Sequence, residues 1–139
     1  MSNNVMDLLL KADTSKIKKP TKKVKIQSLS ESLGEEVVFT IEALSMKEYS
    51  DIQESSYSLV NNELSDIDVN KIQVFTVLEG VKEPNLKDKQ LLEHFNAHSP
   101  VELIEKMFAG KPGEITNLYN HINSLCGFDK GTVEEIKNS

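Results

Sequence analysis

The sequence predicts an α+β domain that is mostly helical, built as an N-terminal arm, one β-hairpin, and then about five helices packed as a small bundle. Three observations carry this reading. Apolar residues recur at period two only between Val24 and Ala43. From Ser45 to Gly127 they recur at helical spacing, in segments closed by glycine or proline. Ahead of both lies a polar, lysine-rich stretch with neither period.

In chain order, residues 5–12 suit a short amphipathic helix carrying Val5, Met6, Leu8, Leu9 and Leu10. Residues 14–22 form a polar connector broken by Pro20, so residues 1–22 are expected to be a flexible basic arm. The globular domain is expected over 23–127. Its hairpin, 23–44, pairs a strand holding Val24 and Ile26 with a strand in which Val37, Phe39, Ile41 and Ala43 alternate with Val38, Thr40 and Glu42. The connection Ser30–Glu36, with Gly34, reads as a longer hairpin loop.

Helices are expected over 45–127. Ser45 and Glu48 have capping-box spacing, and Met46, Tyr49, Ile52, Ser56, Leu59 and Val60 follow on one helical face. Asp66 or Asp68 is placed to cap a second helix, apolar almost all round from Val69 to Val81, which should be the most buried element. Gly80 and Pro84 end it. Asn85 is placed to cap a third helix containing Leu86, Leu91, Leu92 and Phe95. Ser99 before Pro100 reads as an N-cap with proline in the first turn, and Val101, Ile104, Met107 and Phe108 form that helix's buried stripe. The last helix carries Ile115, Leu118, Tyr119, Ile122, Leu125 and Cys126 on one face and stops at Gly127. Residues 128–139 read as a polar tail with at most one weak turn near Val133–Ile136.

A chain of 139 residues can bury roughly two thirds of its unfolded surface, so a core needs no disulfide or metal. The single cysteine excludes an internal disulfide and suits a reducing compartment. The apolar patch at Val5–Leu10 is interrupted by Asp7 and falls far short of the ~20 residues of a membrane span. No export or membrane association is expected. Charge is uneven: residues 1–25 hold seven lysines against Asp7 and Asp13, a net of +5, whereas residues 26–139 hold nine lysines against twenty acids, a net of −11. Every basic residue is lysine. Without arginine the chain lacks the usual bidentate clamp for phosphate and guanine, and its acidic body repels a phosphate backbone. Nucleic acid is therefore not an expected partner.

The search for chemistry yields weak candidates. His94 and His98 have metal-site spacing, but the intervening Phe95-Asn96-Ala97 lacks the metalloprotease glutamate, and Ser99-Pro100 should end the helix before His98. His121 and Cys126 lack further ligands. Cys126 lies on an apolar stripe, where a thiol resists ionisation. Gly110-Lys111-Pro112-Gly113-Glu114 resembles a phosphate loop only superficially, since Pro112 removes an N–H and no Ser or Thr follows the lysine. Glu31, Glu35, Glu36 and Glu42 are dispersed around the hairpin and read as a solvated face. No catalytic, cofactor or metal site is expected, and no enzyme. The remaining candidate site is Val5, Met6, Leu8, Leu9 and Leu10, a surface for a partner or for self-association, which docks either on a neighbouring copy or on its own domain.

The order of residues is familiar in one respect. Met6-Asp7-Leu8-Leu9-Leu10-Lys11-Ala12-Asp13, the linker to Pro20-Thr21-Lys22, Val24-Lys25-Ile26, Leu33-Gly34-Glu35, Phe39-Thr40-Ile41-Glu42-Ala43-Leu44 and Met46–Glu54 resemble the XkdN-like phage tail assembly chaperones. The likeness spans nearly the whole chain, resting after residue 60 on helix order, Ser99-Pro100 and length. It implies a protein made in the host cytoplasm from phage or prophage tail genes and absent from the finished virion. Such a protein binds the tape-measure protein, keeps it soluble and extended, and helps recruit tail tube protein, with homo-oligomers an option. It implies no fixed functional residues. The competing readings are a structural tail component, such as a terminator or connector subunit, and a small regulatory binding protein.

Overall fold

The computed structural model describes residues 4–60, 63–67 and 69–136. The period-two segments form the sheet. β1 (Thr21–Lys25) and β2 (Val38–Glu42) pair antiparallel, with Val24 opposite Phe39 and Thr21 opposite Glu42. Alternation along β2 turns Phe39 and Ile41 into the core, while Val38 stays exposed. On the free edge β1 presents Lys22, Lys23 and Lys25, all exposed, a charge pattern that discourages edge-to-edge pairing.

The connection between these strands is a helix rather than the expected loop. α2 (Gln27–Leu33) ends at Gly34, whose φ of 73° closes the last turn in the left-handed region. Ser30 fastens it to the strand that follows: its buried hydroxyl donates to Ile26 O at 2.7 Å and accepts from Val37 N at 2.9 Å. The helix buries little else, so its apolar periodicity is weak and the glycine reads equally well as a loop residue.

α3 (Met46–Ser55) starts at the expected capping box. Ser45 Oγ accepts from Glu48 N at 3.1 Å, and Glu48 Oε1 accepts from Ser45 N at 2.9 Å. The helix stops before Leu59 and Val60. These residues belong to β3 (Tyr57–Val60), which pairs antiparallel with β4 (Glu63–Ile67) in a separate two-stranded sheet. Asp66 lies in β4 and Asp68 falls outside the described residues, as do residues 137–139 of the tail.

α4 (Val69–Gly80) is the central helix, in contact with α3, with α6 (Pro100–Met107) and with α7 (Pro112–Leu125). Val81 does not extend it but opens β5 (Val81–Glu83), the third strand of the main sheet, with Val81 opposite Ile41. Asn85 caps only a turn, accepting from Lys87 N. The N-cap of α5 (Lys89–His94) is Asp88, so buried Leu86 precedes that helix. Ser99 caps α6 from Glu102 N at 3.2 Å with Pro100 in the first turn, as expected. Phe39 and Ile41 of the sheet, Val77 of α4, Leu103 and Ile104 of α6, and Leu118 and Ile122 of α7 form one core. The ring of Phe128, 5.2 Å from that of Tyr49, holds the first tail residue against α3.

Gly80 marks the tightest approach in this core. A Cβ there would lie 2.6 Å from Ile122 Cδ1 and 3.0 Å from its Cγ1 and Cγ2, and Ile122 is fully buried and β-branched. Alanine's gain in helix propensity, up to ~1 kcal/mol, is outweighed by overpacking. Gly80→Ala is expected to lower stability by about 1–3 kcal/mol in urea unfolding. Ile122→Val, which removes the closest methyl, is expected to recover part of that loss, making the pair non-additive.

Candidate functional site

Where α3, α4 and the first turn of α6 meet, the surface opens into a cleft of about 440 Å³. Ile52, Phe75, Leu78, Pro100 and Val101 make it apolar, and Glu48, Asp51, Glu79 and Lys87 stand among its lining residues. Lys87 Nζ is 2.8 Å from Glu79 Oε1, and on the α3 side Lys47 Nζ is 3.0 Å from Asp51 Oδ2, so each of these carboxylates has a lysine beside it. The apolar residues come from three helices whose stripes turn toward one another without filling the space between them. Ile52 and Leu78 are buried, whereas Phe75 and Val101 are only half-buried.

Glu48 links this cleft to the N-terminal arm. Lys19 Nζ approaches its Oε1 at 2.9 Å, and Pro20 O accepts from Ala43 N at 3.0 Å, so the connector is anchored beside the cleft. The Ser45 N–H, aided by the Lys19 ammonium, holds the Glu48 carboxyl at about 2 instead of the ordinary 4.5. The same carboxylate raises the Lys19 pKa. Beyond Lys19 the arm carries two short helical segments that bury none of their residues. Asp13 caps a short turn at Thr14–Lys16 through Ser15 N. α1 (Val5–Leu10), capped by Asn4 Oδ1 on Asp7 N, buries none of its residues. Val5, Met6, Leu8, Leu9 and Leu10 are each 56–76 % exposed. At 100° per residue these five span one broad side of the helix, and Asn4, Asp7 and Lys11 share the other.

The other sequence candidates do not converge. α5 ends at His94, and Asn96, at φ 54°, turns the chain, so His94 and His98 share no helix face. His98 offers its N–H to Glu102, and exposed His121 places Nδ1 3.2 Å from Lys22 Nζ. Cys126, half-buried, accepts from Leu44 N through Sγ at 3.2 Å. Pro112 is the first residue of α7, and Lys111 N donates to Phe108 O at 2.8 Å in the turn before it. Glu31 pairs with Gln27 and Glu42 with Lys82. Among the described residues no group of three or more His, Cys, Asp or Glu is placed to hold a metal ion, and no helix is long and apolar enough to cross a membrane. The cleft itself had no local signature: its residues read singly as core stripes, and Glu48 as a capping residue.

A mostly helical α+β domain with an open apolar cleft and a wholly exposed apolar helix has the build of a protein that deals with other polypeptides. The family model of the phage XkdN-like tail assembly chaperone proteins matches residues 6–138. The chain belongs to that family. A search of curated proteins gave no match. A crystal structure described as that of the protein yqbn is similar in fold, with a TM-score of 0.58 at 20 % identity over 78 % of this chain and 87 % of the other.

Glu48 supplies a pH test of the anchored rim. Its pKa is depressed in the folded state, so its contribution to stability is present above about 4.5 and is lost as pH falls through about 2. Glu48→Gln keeps a side-chain oxygen for the cap but removes the charge. Across that window the wild type is expected to lose stability more steeply than the variant, and the two unfolding curves should converge at the acid end.

Proposed function

We propose that this chaperone binds the tape-measure protein of its phage before the tail tube forms, keeps that long chain soluble and extended, and assists recruitment of tube subunits. On this reading it acts in the host cytoplasm and does not remain in the virion. The observation that carries the reading is the apolar cleft between α3, α4 and α6 in a member of a tail assembly chaperone family. An amphipathic helix buries its apolar face in such a groove, and an anchor made only of dispersion and burial stays reversible. A chaperone that must leave its client needs that reversibility. On this reading no residue makes or breaks a bond.

Val101→Glu tests the site. Val101 lies in the first turn of α6, where an acidic side chain suits the helix dipole, so folding should survive. The charge would face the apolar seat of the client, and its desolvation should weaken binding at least about tenfold. Co-expression with the tape-measure protein is expected to give a soluble, co-purifying complex with the wild type and an insoluble client with V101E. Mass spectrometry of purified particles should find no copy of the chain. Stoichiometric amounts there would instead make it a structural tail component.

A further inference from the structure

We infer that the free edge of β1 takes an acidic, extended segment of another protein as a further antiparallel strand of the main sheet. This surface is separate from the α3–α4–α6 cleft, and the inference does not rest on what that cleft binds.

The backbone sets the pairing. Pro20 O accepts from Ala43 N at 3.0 Å, and Ile26 N donates to Val37 O at 2.9 Å. Along an antiparallel ladder every second residue turns its backbone groups to the same partner, so Lys22 and Val24 also face β2. Thr21, Lys23 and Lys25 therefore turn their N–H and C=O groups the other way. β1 is an outer strand of the sheet, and those groups meet solvent. An edge of this kind is a template for one more strand. The opposite edge offers less, because β5 is only three residues long and Pro84 follows it at once.

Charge decides which strand is admitted. Lys23 and Lys25 are exposed, and among the described residues neither meets a carboxylate. A second copy of β1, added antiparallel, would bring Lys23 of both copies together, and like charges directly opposite repel. A strand with carboxylates opposite Lys23 and Lys25 is attracted where a copy is repelled.

The inner face of the same edge is different in character. Val24 packs against the core, and Lys22 Nζ reaches His121 Nδ1 of α7 at 3.2 Å. Beside them runs a groove of about 170 Å³, with Val24, Ile26, Asn117, Leu118 and His121 in its lining. Its carboxylate, Glu114, is taken up by the N–H of Ser28 at 3.0 Å and by the Ser28 hydroxyl. Side chains alternate along a strand, so an added strand would set one series beside the lysines and the other over this groove. The partner segment is thus one in which acidic and apolar residues alternate.

The test uses the full-length chain and a short synthetic peptide of alternating Glu and Val. In hydrogen exchange read by NMR, the amides of Lys23 and Lys25 should exchange freely without peptide. Saturating peptide should slow them at least about tenfold, while those of Lys22 and Val24, already bonded to β2, change little. N-methylation of the peptide's glutamates, whose N–H groups face β1 in the antiparallel register, should abolish binding. N-methylation of its valines should spare it. Lys23→Pro removes an outward N–H and leaves the β2 ladder intact, so circular dichroism should be unchanged and binding lost. The double variant K23E/K25E keeps the backbone and should weaken binding at least about tenfold, shifting preference to a Lys-Val peptide. A glutamate-methylated peptide that binds as well as the parent, K23E/K25E with unchanged affinity, or no protection of Lys23 and Lys25 at any peptide concentration would each overturn the inference. Protection at Phe75 and Val101 instead would assign the peptide to the cleft and overturn it too.

Discussion

Everything around the cleft depends on β2, a five-residue strand buried on one face and paired on both edges. Phe39 and Ile41 point inward because side chains alternate along a strand, and a slip of one residue in register would send both to solvent. β2 then dictates two further placements. β1 pairs along its full length on one side. On the other, Val81 pairs with Ile41 and so fixes where α4 must end. The close fit of Gly80 against Ile122 at that junction seats α7 on α4. With one end of α4 held this way, its Phe75 and Leu78 face α3 and α6 across a gap rather than across a filled core. The cleft is thus a consequence of how the sheet terminates a helix.

Local physics explains which of these features were legible in the sequence. The capping box at Ser45 and Glu48, the Ser99-Pro100 start and the stripe from Ile115 to Cys126 were readable because each is settled within a few residues. The alternation from Val37 to Ala43 was readable because one face is buried. β5 was not: three residues are too few to show a period, and only pairing with Ile41 makes Val81 a strand residue. The β3–β4 hairpin was missed for a related reason. Ser56, Leu59 and Val60 continue the helical spacing of α3 closely enough to conceal the change. α2 hid behind Gly34, which ends helices and opens loops with equal ease. Resemblance reached the tail assembly chaperone family by another route, through residue order. It carried no information about the cleft, whose walls come from three separate helices and the turn at Lys87.

Exposed apolar surface needs something to restrain it, and here the restraint is charge. Residues 26–139 carry a net of −11, so two bodies approaching at random repel over roughly a Debye length, about 8 Å at physiological salt. The carboxylates on the α3 side of the cleft are already matched, Glu48 by Lys19 at 2.9 Å and Asp51 by Lys47 at 3.0 Å. A segment that enters the cleft is therefore selected first by its apolar side chains. Charge acts at the rim: a cationic flank can share these carboxylates, whereas an acidic flank adds to the repulsion from the body.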